Sequence, residues 1–279
     1  MVTVVIPVKD EAANLPECLG RLGGFRDIVV VDSGSTDGTP DIARAHGAEV
    51  VDFRWDGRFP KKRNWLLRNR DFATPWVLFL DADEFVTEAF KAELGRVLPE
   101  SPHSGYWLNY DRWFLGRRLR HGDEFVKLAL FRPEAGEYER IEEARWSGLD
   151  MEIHEHPVLE GSSGEITSPI EHNEYRGLRH YIAKHNEYSS WEAARYRQLM
   201  AGDSAAGEAW RRLTPRQQSK YRHLAKWWAA PVYFLRGYLG KRGFLDGAAG
   251  FHFALMKAVY FYQIRLKIRE LAASRDAGG

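Results

Sequence analysis

The chain has 279 residues, one cysteine and a formal net charge of +1, with 44% hydrophobic and 28% charged residues. A chain of this length can bury a large core, and its composition is that of a folded protein. The near-zero net charge argues against a nucleic-acid binder, and the single cysteine, Cys18, excludes an internal disulfide and favours a reducing compartment.

Neither a signal peptide nor a membrane span is expected. The opening MVTVVIPVKDE lacks a basic start, and no apolar run approaches the ~20 residues of a spanning helix. Cys18 lies in ECLGRL, a predicted helix, where a free cysteine usually packs as a small hydrophobe. We therefore expect a cytoplasmic protein.

The first hundred residues alternate predicted strands and helices. Short β-branched or apolar runs predict strands buried on both faces, and large apolar residues at helical spacing predict the helices between them. The predicted strands are 3–8, 27–33, 48–53 and 76–80, and the predicted helices are 14–22, 39–46 and 61–72. This alternation predicts an α/β fold with a parallel sheet.

The pattern changes beyond Pro99. The segments YWLNYDRWFLGRRLR and EFVKLALFR alternate loosely and predict antiparallel strands or a hairpin, and the turn LEGSSGE follows MEIHEH. From about Tyr175 the pattern is helical: one long helix, a loop around 201–207 and two more helices. We therefore expect a domain at 1–175, with halves 1–100 and 101–175, and a helical region at 176–279.

Three carboxylates follow the fourth predicted strand. In LFLDADEF, Asp81 and Asp83 are followed at once by Glu84, at the strand end where parallel sheets bind ligands. Carboxylates this close raise one another's pKa unless a cation neutralises them. Mg²⁺ or Mn²⁺, completed by phosphate oxygens, is the natural partner. This segment therefore predicts a metal–phosphate site, against the alternative of a solvated loop start.

The second predicted strand ends in VVVDSGSTDGT. Small residues after Asp32 leave backbone N–H groups open to a nucleotide or phosphate, although the segment alone is typical of a tight turn before a capped helix. It matches neither a calcium loop nor a dinucleotide fingerprint. The specific signal is that VIPVKDE, VVVDSGSTDGT and LFLDADE occur in order at the ends of three strands.

These motifs, from Val4 to about Phe85, resemble the nucleotide-sugar-binding half of the family 2 glycosyltransferases, which have the GT-A fold. The resemblance implies inverting transfer of a sugar from a nucleotide diphosphate, usually UDP, with Mg²⁺ or Mn²⁺. It makes 1–175 a GT-A domain with a Rossmann-like, mostly parallel sheet. Residues 1–100 would bind the nucleotide sugar, residues 101–175 would bind the acceptor, and an amphipathic helical extension would follow.

The resemblance also assigns roles to nucleotide-binding residues. Pro7, Val8 and Glu11 would line the nucleotide pocket, and Asp32 would accept a hydrogen bond from the base. Arg63, in FPKKRNW, would lie over the base or the diphosphate.

The D-x-D residues receive roles in the same way. Asp83 would ligate the metal, and Asp81 would be a second metal residue that also touches the ribose or a metal-bound water. Ala82 would belong to the nucleotide-sugar site. Lys61 and Lys62 would either assist at the diphosphate or simply begin a solvated basic helix.

An inverting displacement needs a general base. The segment GLDMEIHEHP offers Glu155 first and Asp150 second, and its His–Glu pair resembles the branch of the family that glucosylates lipopolysaccharide core and related lipid-linked glycans. The histidines lack zinc-site spacing, so structural roles are favoured. One of them, His154 or His172, is a candidate to reach the catalytic metal.

The C-terminal third is basic and aromatic. Between Lys220 and Glu270 there are ten Lys or Arg against two acidic residues, and apolar stretches there carry single basic residues. This pattern favours helices that lie in a membrane interface over an annex packed on the catalytic domain. We expect peripheral contact with the inner face of the cytoplasmic membrane and a lipid-linked or lipopolysaccharide-type acceptor. KRGFLDGAAGF also resembles the C-terminal region of the glucosyltransferase branch.

Two other functions fit parts of the pattern. A Mg²⁺-dependent phosphatase of the haloacid dehalogenase type also has D-x-D after a hydrophobic strand, but in its first strand. A membrane-docking scaffold could use the carboxylates to bind Ca²⁺ without catalysis.

Overall fold

A computed structural model describes residues 1–140, 155–172 and 177–276 of the chain. The strands are β1 (Val2–Val8), β2 (Asp27–Asp32), β3 (Glu49–Asp52), β4 (Trp76–Phe79), β5 (Glu84–Phe85), β6 (Gly105–Phe114), β7 (Arg117–Leu119), β8 (Val126–Phe131), β9 (Gly136–Tyr138), β10 (Pro157–Leu159) and β11 (Ser163–His172). The helices are α1 (Leu15–Gly20), α2 (Thr39–Ala45), α3 (Lys62–Asn69), α4 (Glu88–Val97), α5 (Leu178–Leu199), α6 (Ser204–Arg212), α7 (Pro215–His223), α8 (Ala229–Leu235) and α9 (Gly247–Asp276). The chain is an α/β protein whose C-terminal part is helical, as predicted.

The first four strands form the parallel half of the main sheet, in the order β3-β2-β1-β4. β1 and β2 are almost wholly buried, which suits their β-branched sequences. Val8 pairs with Asp32, and the Leu80 N–H donates to the carbonyl of Val5, so the strand ends lie side by side. The four predicted strands and three predicted helices are confirmed to within three residues at each end.

The other half of the sheet is largely antiparallel and continues in the order β4-β8-β6-β11-β5. β8 is antiparallel to both β4 and β6, as predicted for these segments. β11 was not predicted: it runs parallel to β6, with an irregularity between Ile166 and Ile170, and then pairs antiparallel with β5. Four of the seven pairings along the whole order are parallel, so the sheet is mixed but mostly parallel.

Helices cover both faces of the parallel half. β1 directs Val4 and Ile6 into one buried cluster and Val5 into the other. α1 covers the first cluster through Leu15, and α3 covers the second through Leu66. Each such side chain contributes about 2 kcal/mol when fully buried. With both faces covered, the carboxyl ends of the strands are left for polar side chains.

The chain divides into two compact units. The first consists of Met1–Arg112 and Glu124–Glu174, and the second of Trp113–Asp123 and Tyr175–Gly279. The hairpin formed by the end of β6 and by β7 therefore belongs to the second unit. Its Phe114 and Leu119 pack with Ala249 of α9, and the carboxylate of Asp246 accepts hydrogen bonds from the backbone N–H groups of Arg120 and His121.

The second unit has more helices than predicted. After α5, the described residues form four helices, α6 to α9, where two were expected. The predicted loop at 201–207 is wrong in its second half, because the Asp203 side chain accepts from the Ala206 N–H and starts α6 at Ser204. Thr214 then forms a capping box with Gln217 and starts α7.

Helix α9 carries an exposed row of apolar residues, which we call the apolar stripe. Its members are 38–48% exposed and lie three or four residues apart, so they share one face of the helix. They are Phe251, Leu255, Val259, Tyr262 and Leu266. None of the described helices combines the length and hydropathy of a membrane span.

Candidate active site

The three carboxylates lie in the turn between β4 and β5. The Glu84 N–H donates to the Asp81 carbonyl at 3.0 Å, and the Asp81 N–H donates to the Glu84 carboxylate at 3.1 Å. The side chains of Asp81, Asp83 and Glu84 are 37%, 16% and 1% exposed, respectively. The turn therefore leaves Asp81 partly exposed, covers most of Asp83 and buries Glu84.

Lys127, on β8, supplies a positive charge that the sequence analysis did not assign. Its Nζ lies 2.6 Å from Asp81 Oδ2 and also donates to Glu84 Oε1, while the rings of Tyr110 and Phe125 lie 5.1 and 5.2 Å from it. The available signal was a single lysine inside the apolar strand VKLALF. Its partners follow from the sheet order, which places β8 beside β4.

Arg63 is the second cation at the carboxylates. Its guanidinium donates to Asp81 Oδ1 at 3.0 Å and lies 5.1 Å from the centre of the Tyr138 ring. α3 begins just before Arg63 and carries it to the carboxyl end of β4. Its expected position over the base or diphosphate stays a prediction.

His172 faces Asp83. It ends β11, in register with Glu84 of β5, and its Nε2 is 3.6 Å from Asp83 Oδ1. The Phe125 ring lies 5.4 Å from the imidazole. Of the two histidines considered for the metal, His172 therefore stands beside the D-x-D motif, and His154 lies outside the described residues.

These contacts shift the pKa values of the cluster in different directions. Burial favours a higher pKa for Asp81, but Lys127 and Arg63 hold it well below its usual range. Burial raises the pKa of Glu84 to about 7, against the attraction of Lys127. Burial disfavours a charged His172, yet its interactions with Asp83 raise the pKa of the imidazole. The site therefore combines an ionised Asp81 with a Glu84 that titrates near neutrality.

The residues assigned to the nucleotide lie at adjacent strand ends. Pro7 and Val8 end β1 opposite Val31 and Asp32 of β2. Glu11 follows β1; its N–H donates to Thr39 Oγ1, and its carboxylate accepts from Asn14. Ala82 lies between Asp81 and Asp83 and is 3% exposed. The strand order β2-β1-β4 thus brings these predicted positions to one edge of the sheet.

Asp32 organises its own turn. Its Oδ2 accepts from the N–H groups of Gly34 and Ser35 at 3.0 Å each, and the Ser35 hydroxyl donates to Oδ1 at 2.5 Å. Gly34 has a φ of 79°, a left-handed conformation that glycine adopts without strain. The side chain is buried, and its proposed contact with the base stays a prediction.

Glu155, the candidate base, lies in a buried ion pair. Its Oε1 is 3.4 Å from Lys61 Nζ, and the two side chains are 3% and 4% exposed. Lys61 and Lys62 are both buried, so the alternative of a solvated helix start is wrong. Asp150, the second candidate base, lies outside the described residues.

The described side chains can supply only some of the ligands that a divalent metal ion needs. Among residues 1–140, 155–172 and 177–276, no three His, Cys, Asp or Glu side chains converge as a complete metal site. Both oxygens of Asp81 face cations, whereas Asp83 and His172 offer one carboxylate and one imidazole side by side. Such a pair suits Mg²⁺ or Mn²⁺, which take their other ligands from water and phosphate. A metal ion and phosphate oxygens were expected to relieve the repulsion between the carboxylates. The structure adds Lys127 and Arg63, whose positive charges also relieve it.

Comparison with known proteins places the chain in a family. The profile of glycosyl transferase family 2 matches residues 3–154. The lipopolysaccharide core biosynthesis glycosyltransferase LpsC of Rhizobium meliloti (strain 1021) is 28% identical over 270 residues, which cover 93% of this chain and 88% of LpsC. A PGL/p-HBAD biosynthesis glycosyltransferase of Mycobacterium bovis (strain BCG / Pasteur 1173P2) is 36% identical over 96 residues, covering 32% of this chain and 38% of the relative.

A similar solved structure is glucosyl-3-phosphoglycerate synthase of Mycobacterium tuberculosis in complex with Mn²⁺, UDP and glucosyl-3-phosphoglycerate. It is 27% identical and matches 39% of this chain and 44% of its own, with a TM-score of 0.34, a likeness too weak to carry an argument. The family profile, in contrast, covers more than half of the chain, and the phosphatase and calcium-scaffold alternatives are wrong. The chain belongs to glycosyl transferase family 2 and is a glycosyltransferase.

Proposed function

We propose that the chain transfers a hexose, with inversion, from a UDP-sugar to a lipid-linked or lipopolysaccharide-type glycan at the inner face of the cytoplasmic membrane. The observation that carries the donor half of this proposal is the cluster at the carboxyl end of β4. There Asp81 lies against Arg63, and Asp83 lies against His172. Carboxylates and cations at one sheet edge suit a metal-bound diphosphate, with the nucleotide on the turns after β1 and β2.

Asp83 and His172 would hold the Mg²⁺ or Mn²⁺ ion. When bound, the ion would neutralise charge on the departing diphosphate. Asp81 would orient Arg63 through their hydrogen bond, and a guanidinium group suits the oxygens of a diphosphate. Pro7, Val8 and Ala82 would form apolar walls around the nucleotide sugar.

Glu155 would take the proton of the attacking acceptor hydroxyl. A general base must hold its carboxylate ionised and fixed in direction, and the nearby ammonium group of Lys61 favours both. Lys61 is itself held against the Trp55 ring at 5.6 Å. In this role Glu155 acts as base and Lys61 positions it.

The acceptor half of the proposal rests on the C-terminal helices. The name of LpsC assigns that relative to lipopolysaccharide core biosynthesis. In this chain α9 exposes the apolar stripe, and α8 exposes Val232 and Leu235 at 47% and 50%. The two helices contact each other through the rings of Phe234 and Phe251, whose centres are 5.9 Å apart. A surface of this kind suits the interface of a lipid bilayer.

Positive charges next to this surface favour an anionic bilayer as its occupant. Lys226, Arg236 and Arg242 are exposed around α8 and the turn before α9. Asp246, an acidic residue of the same segment, is engaged by His121 and by the Arg120 N–H. Apolar contact combined with cationic contact at a negative leaflet is a common mode of peripheral attachment.

The test of the donor half is calorimetric titration of UDP into wild type and Asp83→Ala, with and without Mn²⁺. We expect Mn²⁺-dependent binding in the wild type and a loss of at least about tenfold in affinity for Asp83→Ala, because the variant removes the metal's carboxylate. Asp41→Ala, an exposed aspartate of α2, is the matched control. Equal UDP binding by wild type and Asp83→Ala would contradict the proposal.

A further inference from the structure

Lys127 joins two carboxylates that differ in their surroundings. Glu84 is buried beneath the turn, with 1% of its side chain exposed, whereas the side chain of Asp81 is 37% exposed. The ammonium group of Lys127 contacts both, at 2.6 Å for Asp81 Oδ2. Lys127 therefore links the partly exposed Asp81 to the buried Glu84.

The remaining contacts of this cluster fix the direction of Lys127. The rings of Tyr110 and Phe125, from β6 and the loop before β8, lie 5.1 and 5.2 Å from Nζ. Aromatic faces attract an ammonium group and define its path between them. The backbone N–H of Asp81 also donates to the second oxygen of Glu84. Lys127 is thus the cation that Asp81 and Glu84 share, while Arg63 contacts the other oxygen of Asp81.

The carboxylates of Asp81 and Glu84 contact the same ammonium group, and two negative charges this close repel each other. A metal ion is one way to relieve that repulsion. In this chain the repulsion is relieved by the ammonium group of Lys127, which is present whether or not a metal ion is bound. Asp83, the third carboxylate of the turn, faces His172. Lys127 therefore contacts Asp81 and Glu84, and the imidazole of His172 lies beside the remaining aspartate.

We propose that Lys127 is a positioning residue of the donor site, whose ammonium group holds Asp81 and Glu84 in place before any metal ion binds; this inference rests on the function proposed above. It does not touch the reacting atoms. Its effect reaches the donor through Asp81 and through Arg63, which Asp81 orients.

The experiment compares full-length wild type, Lys127→Met and Lys127→Arg by thermal unfolding in EDTA and in saturating Mn²⁺. In EDTA we expect Lys127→Met to unfold about 5 °C or more below wild type, because the two carboxylates lose their shared cation. Mn²⁺ should raise its Tm more than that of wild type, since the ion replaces the lost charge. Lys127→Arg should unfold at a Tm close to that of wild type. The affinity for UDP in the presence of Mn²⁺ should fall at least about tenfold in Lys127→Met and not in Lys127→Arg.

The matched control is Lys91→Met, whose lysine pairs with the exposed Glu88 on α4. It should leave the metal dependence of Tm unchanged. A wild-type Tm for Lys127→Met in EDTA would overturn the inference. So would an equal loss of Tm with and without Mn²⁺, which would reduce Lys127 to a packing role.

A double variant separates this inference from the proposed function. Lys127→Met should cost less in Tm in a Glu84→Gln background, because one of the two charges it balances is already gone. That comparison needs neither UDP nor metal, and it also serves if the single variant fails to fold. Additive losses would overturn the positioning role, whereas failure of wild type to bind UDP would overturn only the donor assignment.

Discussion

Lys127, Arg63 and His172 face the carboxylates that follow β4, and each comes from a different part of the sequence. Lys127 lies 46 residues from Asp81, and Arg63 lies 18 residues before it. The D-x-D motif itself was visible in the sequence because its residues are adjacent. The positively charged partners of the motif were not visible in the same way. Their closeness to the carboxylates depends on the strand order and on where β11 ends. Arg63 was identified only through the family resemblance, and Lys127 was missed.

The role of Glu155 is tested by Glu155→Gln. The glutamine keeps the size of the side chain but cannot accept a proton, so turnover should fall about 10²–10⁴-fold while Mn²⁺-dependent UDP binding stays within about twofold of wild type. Turnover is measured as UDP released from the UDP-hexose that wild type uses, in the presence of its acceptor.

Glu160→Gln, at an exposed glutamate after β10, is the control for this segment. It should turn over normally. Wild-type turnover by Glu155→Gln would instead move the base to Asp150.

At the level of elements, α4 holds the irregular part of β11. Glu93 of α4 accepts hydrogen bonds from the Thr167 N–H and hydroxyl at 3.1 Å and from the Ser168 N–H at 2.7 Å. These N–H groups fall where the register between β11 and β6 shifts, between Ile166 and Ile170. A carboxylate thus occupies the place of a missing strand partner.

Glu93→Gln should destabilise the protein by about 2 kcal/mol at pH 7, because charge-assisted hydrogen bonds become neutral or are lost. Burial favours a higher pKa for Glu93, but its hydrogen bonds to Ser168 and Thr167 lower it below 4.5. The stabilisation is therefore present above the unfolded pKa and is lost as pH falls below about 4.5. Urea unfolding of both proteins from pH 7 to pH 3 measures this.

Glu88→Gln, at an exposed glutamate of the same helix, should match wild type across that range. A constant difference between Glu93→Gln and wild type at every pH would contradict the assignment of the effect to the carboxylate.

The continuous apolar strands β1 and β2 were predicted, whereas α4 and the partner-defined strand β11 were not. β1 and β2 are continuous β-branched runs, so the sequence alone reveals them. β11 has the sequence SGEITSPIEH, in which Ile166, Ile170 and His172 are the buried positions. Its glycine, proline and small polar residues resemble a loop, and only pairing with β6 and β5 makes it a strand.

At the scale of the whole molecule, charge and apolar exposure are unevenly distributed. The net charge is +1, yet the segment from Lys220 to Glu270 has ten basic and two acidic residues. The exposed stripe of α9 lies in the same segment. This concentration could be expected from composition, but the face that carries it became visible only once the helix packing was known.

The membrane proposal is tested with vesicles containing about one third anionic lipid. Replacing Leu255 and Val259 together by glutamate should lower the bound fraction at least about tenfold, because it adds negative charge and removes apolar area. Wild-type binding should weaken with salt. Sedimentation of protein with vesicles measures both.

Val158→Glu, at an apolar residue 64% exposed in β10, is the control and should bind as wild type does. Sedimentation velocity is measured in parallel. If wild type is a dimer, the stripe variant is a monomer and neither binds vesicles, the apolar stripe is an interface between two copies of the chain.

The hairpin of β6 and β7 has a consequence for the order in which the chain is made. Its Phe114 and Leu119 are covered by Ala249 and Phe253 of α9. About 130 residues separate Leu119 from Ala249, so at 5–20 residues per second roughly 7 to 26 seconds of synthesis pass before α9 can cover the hairpin. During that interval the hairpin lacks its contacts with α9, and a chain cut before α9 would never form them; Phe114 would keep its contact with the Tyr181 ring of α5.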